Sequence, residues 1–260
     1  MELPRPALIG VVHLLPLPGA PFAREPLEGV LARAVADARA YAAGGADAII
    51  LENFGDRPFF ADTVPPAVVA AMTRVALAVR EQVKLPLGIN VLRNAAEAAL
   101  GIAAAVEAAF IRVNVLTGVM VTDQGLITGP AATLLRQRRL LAAPVEIWAD
   151  VLVKHAQPLA PVSLEQAARE TLDRGGADAL ILTGPETGSP PALADLARLR
   201  ATLPSARLYL GSGVTPDRAA AVRDRVDGCI VGTWAKVGGQ VTAPVDPQRV
   251  AALRYALRPA

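Results

Sequence analysis

The chain holds two histidines, His13 and His155, and both stand at or just beyond the end of a short apolar run. Other chemistry-bearing residues fall in the same kind of place. Glu52 and Asn53 follow Ala48–Leu51, and Asn90, Arg93 and Asn94 follow Leu85–Ile89. Arg112 lies at the end of Phe110–Val113, with Asn114 two residues on and so on the same face of an extended chain. Asp150 closes Val145–Ala149, with Lys154 and His155 close behind. Thr183 follows Ala179–Leu182, Gly211-Ser212-Gly213 follows Arg207–Leu210, and Gly232-Thr233 follows Gly228–Val231, with Lys236 one turn later.

Each type implies a chemistry. Glu52 and Asp150 are two carboxylates that could divide general acid and general base roles if their surroundings split their pKa values. His13, Lys154 and His155 are the supporting catalytic candidates, and a desolvated lysine could also form a Schiff base. Arg93 and Arg112 offer bidentate recognition of anions, and Asn90, Asn114, Thr183 and Lys236 complete the substrate-binding candidates. Gly211, Ser212, Gly213, Gly232 and Thr233 would let a phosphate approach main-chain N–H groups, beside hydroxyls that add donors. Glycine after a strand is also an ordinary turn, and Asn53, Asn94 and Thr187 suit turn capping better than chemistry. A metal site from His13, Glu52 and Asp150 lacks any close ligand spacing such as H-E-x-x-H, and G-x-G-x-x-G is absent, so neither metal nor cofactor is expected.

Side chains so scattered along the sequence need a scaffold that returns each of them to one place. The apolar runs Ala7–Val12, Ala48–Leu51, Leu85–Ile89, Phe110–Val113, Val145–Ala149, Ala179–Leu182, Arg207–Leu210 and Gly228–Val231 read as strands covered on both faces. Helical patterns follow them near 28–43, 65–83, 94–106, 129–142, 163–174, 192–202, 216–225 and 247–257, several opened by Pro or by Ser163 with Gln166. Eight strand–helix pairs predict an α/β fold, the (β/α)8 TIM barrel, as a single domain over residues 1–260, ahead of a doubly wound sheet, which usually stops at five to seven strands. In such a barrel the active site lies at the C-terminal ends of the strands. Gly44-Gly-Ala-Asp-Ala-Ile-Ile-Leu51 recurs as Gly175-Gly-Ala-Asp-Ala-Leu-Ile-Leu182, about half the chain away, and more weakly as Val226-Asp-Gly-Cys-Ile-Val231.

Composition sets limits. The chain is 260 residues long, 53% hydrophobic and only 19% charged, which excludes intrinsic disorder. A net charge of +2 without a long basic run is no footprint for nucleic acid. The single cysteine, Cys229, sits in an apolar run and reads as a small buried hydrophobe. Pro16, Pro18 and Pro21 interrupt the longest early stretch without charge, so neither a membrane helix nor a secretory signal is expected, and the chain reads as cytoplasmic.

Ile9-Gly-Val-Val-His-Leu-Leu-Pro-Leu-Pro-Gly19, Glu52-Asn-Phe-Gly-Asp56, Asn90-Val-Leu-Arg-Asn94, Phe110-Ile-Arg-Val-Asn114, Trp148-Ala-Asp150, Val153-Lys-His155, Gly211-Ser-Gly-Val214 and Pro244-Val-Asp246 together resemble the BtpA/SgcQ family over nearly the whole chain. Thr215-Pro-Asp-Arg218 departs softly from the pattern at its last position. The resemblance implies a ribulose-phosphate-binding-type barrel. It also implies a link to photosystem I biogenesis, with peripheral membrane association, while other relatives have been labelled nucleosidases or phosphosugar enzymes. It supplies no catalytic residue assignments.

Two functions are therefore expected to compete. One is an enzyme acting on a phosphorylated sugar or nucleoside-like molecule by proton transfer (isomerase or lyase) or glycosidic cleavage. The other is a non-catalytic assembly factor for a membrane complex. The density of ionisable groups at the strand ends favours the enzyme, and a homo-oligomer is expected in either case. The adjacent aromatics Phe59-Phe60, within the segment 54–66, suit an active-site lid or a subunit contact. If they form a subunit contact, replacing both with Ala lowers the mass measured by light scattering; an unchanged mass discards that role.

Overall fold

The apolar runs are extended because both of their faces find cover, one inside a ring of strands and the other under helices. The computed structural model describes residues 1–184 and 190–259; Thr187 lies outside them. In chain order the main elements are β1 (Ala7–His13), α1 (Leu27–Ala43), β2 (Ala48–Glu52), α2 (Pro66–Gln82), β3 (Leu87–Asn90), α3 (Ala96–Ala105), β4 (Phe110–Val113), β5 (Val119–Thr122), β6 (Gly125–Thr128), α4 (Ala131–Leu140), β7 (Glu146–Val151), β8 (Ala156–Pro158), α5 (Leu164–Arg169), β9 (Ala179–Leu182), α6 (Leu193–Thr202), β10 (Leu208–Gly211), α7 (Pro216–Val222), β11 (Gly228–Val231) and α8 (Pro247–Leu257). Parallel strands close in the ring order β1-β11-β10-β9-β7-β4-β3-β2, which is the expected (β/α)8 barrel. Three helices begin on side-chain caps: Ser163 and Thr215 each accept from the N–H three residues on, and Asp246 accepts from that of Gln248.

Strand ends and a further sheet differ from the sequence-based expectation. Leu85 and Pro86 precede β3 rather than belonging to it, and β7 runs on to Val151. A second, three-stranded antiparallel sheet in the order β6-β5-β8 was not foreseen. Its hairpin pairs Thr122 with Gly125 across the two-residue turn Asp123-Gln124, and Gly125, the residue after the turn, takes a left-handed φ of 96° that favours glycine. Met120 and Ile127, paired across the hairpin, are buried, whereas the paired Val121 and Leu126 are exposed.

Alternation along the strands sets the site. Ala7, Ile9 and Val11 of β1, Ala48 and Ile50 of β2, and Ala179 and Ile181 of β9 point inward with Phe110, Trp148, Tyr209 and Ile230. Trp148 lies stacked between Phe110 and Tyr209, at 4.0 and 4.1 Å between ring centroids, and fills the lower half of the barrel. Gly88 is needed there because a Cβ would run into the Phe110 ring. Continuing the same period of two brings His13, Glu52, Asn90, Arg112, Asp150, Thr183, Gly211 and Gly232 to the inner face near the strand ends. The barrel is therefore dry below and polar above. The opposite strand faces form the larger core with the helices.

The repeated Gly-x-x-Asp turn has a structural cause. Asp47, Asp178 and Asp227 each accept from the N–H of a neighbouring strand's residue (Leu8, Ile147 and Leu208) and donate their own N–H back to that residue's carbonyl. The first two copies lead into β2 and β9, which stand opposite each other in the ring. Each carboxylate also meets an arginine: Arg258, Arg138 and Arg200 respectively.

Tyr41 of α1 is fully buried and its hydroxyl donates to the carbonyls of Val11 and Val231, tying the helix across the β1–β11 seam. Its ring occupies the space that a side chain at residue 10 would need, which accounts for Gly10. Tyr41→Phe, which leaves the packing and removes the hydroxyl, is expected to cost about 1–3 kcal/mol in urea unfolding; an unchanged midpoint would show that the seam does not need these bonds.

Candidate functional site

Asn90, Arg112, Asn114 and Asp150 at the strand ends form one hydrogen-bonded chain. Asn90 Nδ2 donates to the Arg112 carbonyl at 3.0 Å and to Asn114 Oδ1 at 3.1 Å. Asn114 Nδ2 donates to Asp150 Oδ2 at 2.8 Å. Arg112 grips the same carboxylate with two prongs, Nε to Oδ2 at 3.1 Å and Nη2 to Oδ1 at 3.0 Å. Its remaining nitrogen, Nη1, lies 3.6 Å from Glu52 Oε2, and Glu52 Oε1 lies 3.7 Å from His13 Nε2. Burial opposes the Arg112 charge, but Asp150 and then Glu52 more than offset it and hold its pKa above the ordinary value.

Above this chain the mouth opens as two adjoining pockets. The first, of about 180 Å3, sets His13, Glu52, Arg112 and Lys154 opposite Ser212, Gly213, Gly232 and Thr233. The second, of about 440 Å3, shares Glu52, Arg112 and Lys154 and adds Arg93, Asn114 and His155. Most of the residues expected from the sequence thus come together. Ser212 and Gly213 both adopt left-handed φ angles, 68° and 59°, and for serine that conformation costs about 1 kcal/mol. Among the described residues, no carbonyl accepts from the N–H of Gly213 or Thr233.

The structure places several of the expected residues away from the two mouth pockets. Asp150 is buried, its oxygens are taken up by Arg112 and Asn114, and it lines neither mouth pocket. Lys236 is fully buried outside the barrel ring: its Nζ lies 3.4 Å from Asp37 Oδ2 and 5.9 Å from the centre of the Tyr41 ring. It fastens the loop after β11 to α1. Asn90 works inside the chain of hydrogen bonds, Gly211 makes room for the Thr183 methyl group, and Thr183 opens on a neighbouring cleft. Asn53 and Asn94 hold loops through Leu92 and Val115. Cys229 is buried, which pushes its thiol up to about 12.

His13 is the most constrained group. Its ring packs on Phe54 at 4.6 Å and against Gly232, where a Cβ would come within 2.6 Å of the imidazole. The absence of a side chain at residue 232 is therefore explained by His13, whatever else binds there. Burial, then the positive charges of Lys236, Lys154 and Arg112, hold its pKa well below the ordinary 6.5. His13 is thus neutral near pH 7, its contact with Glu52 is no ion pair, and its Nδ1 has no hydrogen-bond partner among the described residues. Burial and then the Arg112 charge pull Lys154 below the ordinary lysine range. Among the described residues no three metal-ligating side chains converge; His13 and Glu52 stand together without a third.

Arg57, Asp123, Gln124 and Trp234 also line the mouth and were missed. Asp123 and Gln124 ride on the β5–β6 turn, and two short apolar, partly β-branched runs, Val119–Thr122 and Gly125–Thr128, around a short polar turn were the signal for them. Phe59 faces the second pocket, whereas Phe60 is 57% exposed.

Comparison with known proteins agrees with this geometry. The model of the BtpA family matches residues 5–258. The photosystem I biogenesis protein BtpA of Synechocystis sp. is 49% identical over 250 residues, covering 96% of this chain and 87% of that protein. An uncharacterized protein of Pyrococcus horikoshii is 46% identical over 253 residues, 97% of this chain and 96% of its own length. Among solved structures, phosphoribosyl anthranilate isomerase from Thermus thermophilus superposes with a TM-score of 0.58 at 16% identity, over 96% of this chain and 98% of that one, and shows the shared fold.

The depressed His13 pKa has a consequence for stability. The folded chain declines a proton that the unfolded chain accepts near pH 6.5, so stability is full above that value and falls as pH drops toward the folded pKa. Urea unfolding between pH 7.5 and 5 should show this slope, approaching about 1.4 kcal/mol per pH unit, and His13→Gln should flatten it. An equal slope in the variant would contradict the assignment.

Proposed function

The chain belongs to the BtpA family, and we propose that its barrel mouth binds a small phosphorylated sugar or nucleoside-like molecule and moves a proton on it. The observation that carries this reading is the shared pocket: the two small-residue loops after β10 and β11 face Glu52, His13, Arg112 and Lys154 across one space of about 180 Å3. The phosphate would accept from main-chain N–H groups and hydroxyls at Ser212, Gly213, Gly232 and Thr233, the position after the last two strands where barrels frequently hold one. Glu52 would take a proton from carbon beside a carbonyl. Arg112 and Lys154 would stabilise the oxygen that gains negative charge, and the neutral His13 would shuttle a proton to or from it. The proton returned to the neighbouring carbon completes an isomerisation; loss of a leaving group instead completes a lyase reaction.

Glycosidic cleavage is less favoured, because it usually needs two carboxylates flanking the bond. Asp150, the second carboxylate here, is committed to Arg112 and lines neither mouth pocket. The alternative, an assembly factor for a membrane complex, draws on the name of the Synechocystis relative. No described helix is long and apolar enough to cross a membrane, so that role would need a peripheral contact.

Thermal shift of the purified chain with inorganic phosphate and a panel of phosphosugars and nucleotides separates the readings. A ligand at 100 times its Kd is expected to add about 2.7 kcal/mol of stability, and Ser212→Asp or Thr233→Asp should abolish the effect. No stabilisation by any phosphorylated compound would contradict the enzyme reading and leave the assembly role.

A further inference from the structure

Two cations at the mouth lack the carboxylate that their surroundings call for. Arg93 is only 5% exposed, and its guanidinium donates to the Lys154 carbonyl. The two buried carboxylates nearby are both engaged by Arg112. Among the described residues neither Arg93 nor the Lys154 ammonium forms an ion pair with them. Burial holds both cations below their ordinary pKa ranges. Asp123, on the rim of the same pocket, is exposed and weighs least among the charges acting on Arg93. A charge kept out of water without a partner is costly, and a protein that retains one usually meets an opposite charge from a ligand.

Both cations line the 440 Å3 pocket, which continues from the phosphate pocket through Glu52, Arg112 and Lys154. Three cations, Arg93, Arg112 and Lys154, thus meet two buried carboxylates, and an exposed Arg57 adds to the positive rim. We propose that this pocket is a second anion subsite, so that the natural ligand carries two anionic groups: a phosphate at the loops after β10 and β11, and a carboxylate or second phosphate held by Arg93 and Lys154. The inference rests on the phosphate reading above and narrows its substrate class to sugar bisphosphates and phosphorylated sugar acids. The planar fork of Arg93 suits two oxygens of one group, and the Lys154 ammonium can follow either.

Titration calorimetry of the full chain at constant ionic strength, with ribose 5-phosphate, ribulose 1,5-bisphosphate and 6-phosphogluconate as probes, tests this. At least one of the two-anion probes should bind about tenfold or more tightly than ribose 5-phosphate, and Arg93→Gln should remove that preference. The comparison within the unmodified chain does not depend on any variant folding. Equal affinities for all three probes would overturn the second subsite while leaving the phosphate loops intact. Failure of every probe to bind would overturn the phosphate reading itself, and this inference with it. A preference that survives Arg93→Gln would overturn the assignment to Arg93.

Discussion

The fork of Arg112 on Asp150 governs the upper half of this barrel. A guanidinium only 6% exposed, directly above a layer of stacked aromatic rings, is tolerable only when its charge and donors are matched. Asp150 matches two nitrogens, Glu52 lies near the third, and Asn114, just beyond the strand of Arg112, and Asn90 of adjoining β3 complete the shell. Removing either partner would leave a buried charge without its main counter-charge, a loss of about 3–5 kcal/mol. The pair thereby sets where Glu52 and Lys154 can stand, and it joins β2, β3, β4 and β7 at the level where a ligand would enter. Its cost is accepted at a place where an apolar plug would have been more stable, as expected of a site kept for binding or chemistry.

Much of the fold was legible because strands covered on both faces read as short unbroken apolar runs, and eight of them at barrel spacing leave few alternatives. Ala179–Leu182 and Gly228–Val231 coincide with observed strands residue for residue. The site was legible to the extent that period-two alternation carries it: Ile50 and Glu52, or Phe110 and Arg112, share the inner face for the same reason. Side-chain partnership was not legible. Asp150 meets Arg112 across 38 residues and Lys236 meets Asp37 across 199, and nothing local distinguishes a carboxylate that waits for substrate from one already clamped. Lys236 followed a strand end in sequence, yet its chain turned outward toward α1. The β5–β6 hairpin was hidden inside what read as a connection to a helix, although two short apolar runs around a polar turn were present.

Kinship and geometry bear on different questions. Barrels of this kind serve many chemistries, so a shared fold and family say little about what enters the mouth. Serine at residue 212 in a left-handed conformation, neutral His13 pressed on Gly232, and two cations without carboxylates all work against stability. A protein acting only through its outer surface gains nothing from them. They are the features on which the proposed binding of an anionic ligand rests.

The most direct test is a crystal structure of the protein grown with inorganic phosphate. Phosphate is predicted within hydrogen-bonding distance of the Gly213 and Thr233 N–H groups, with Arg112 still forked on Asp150. Phosphate bound elsewhere, or a mouth left empty at millimolar phosphate, would contradict the account.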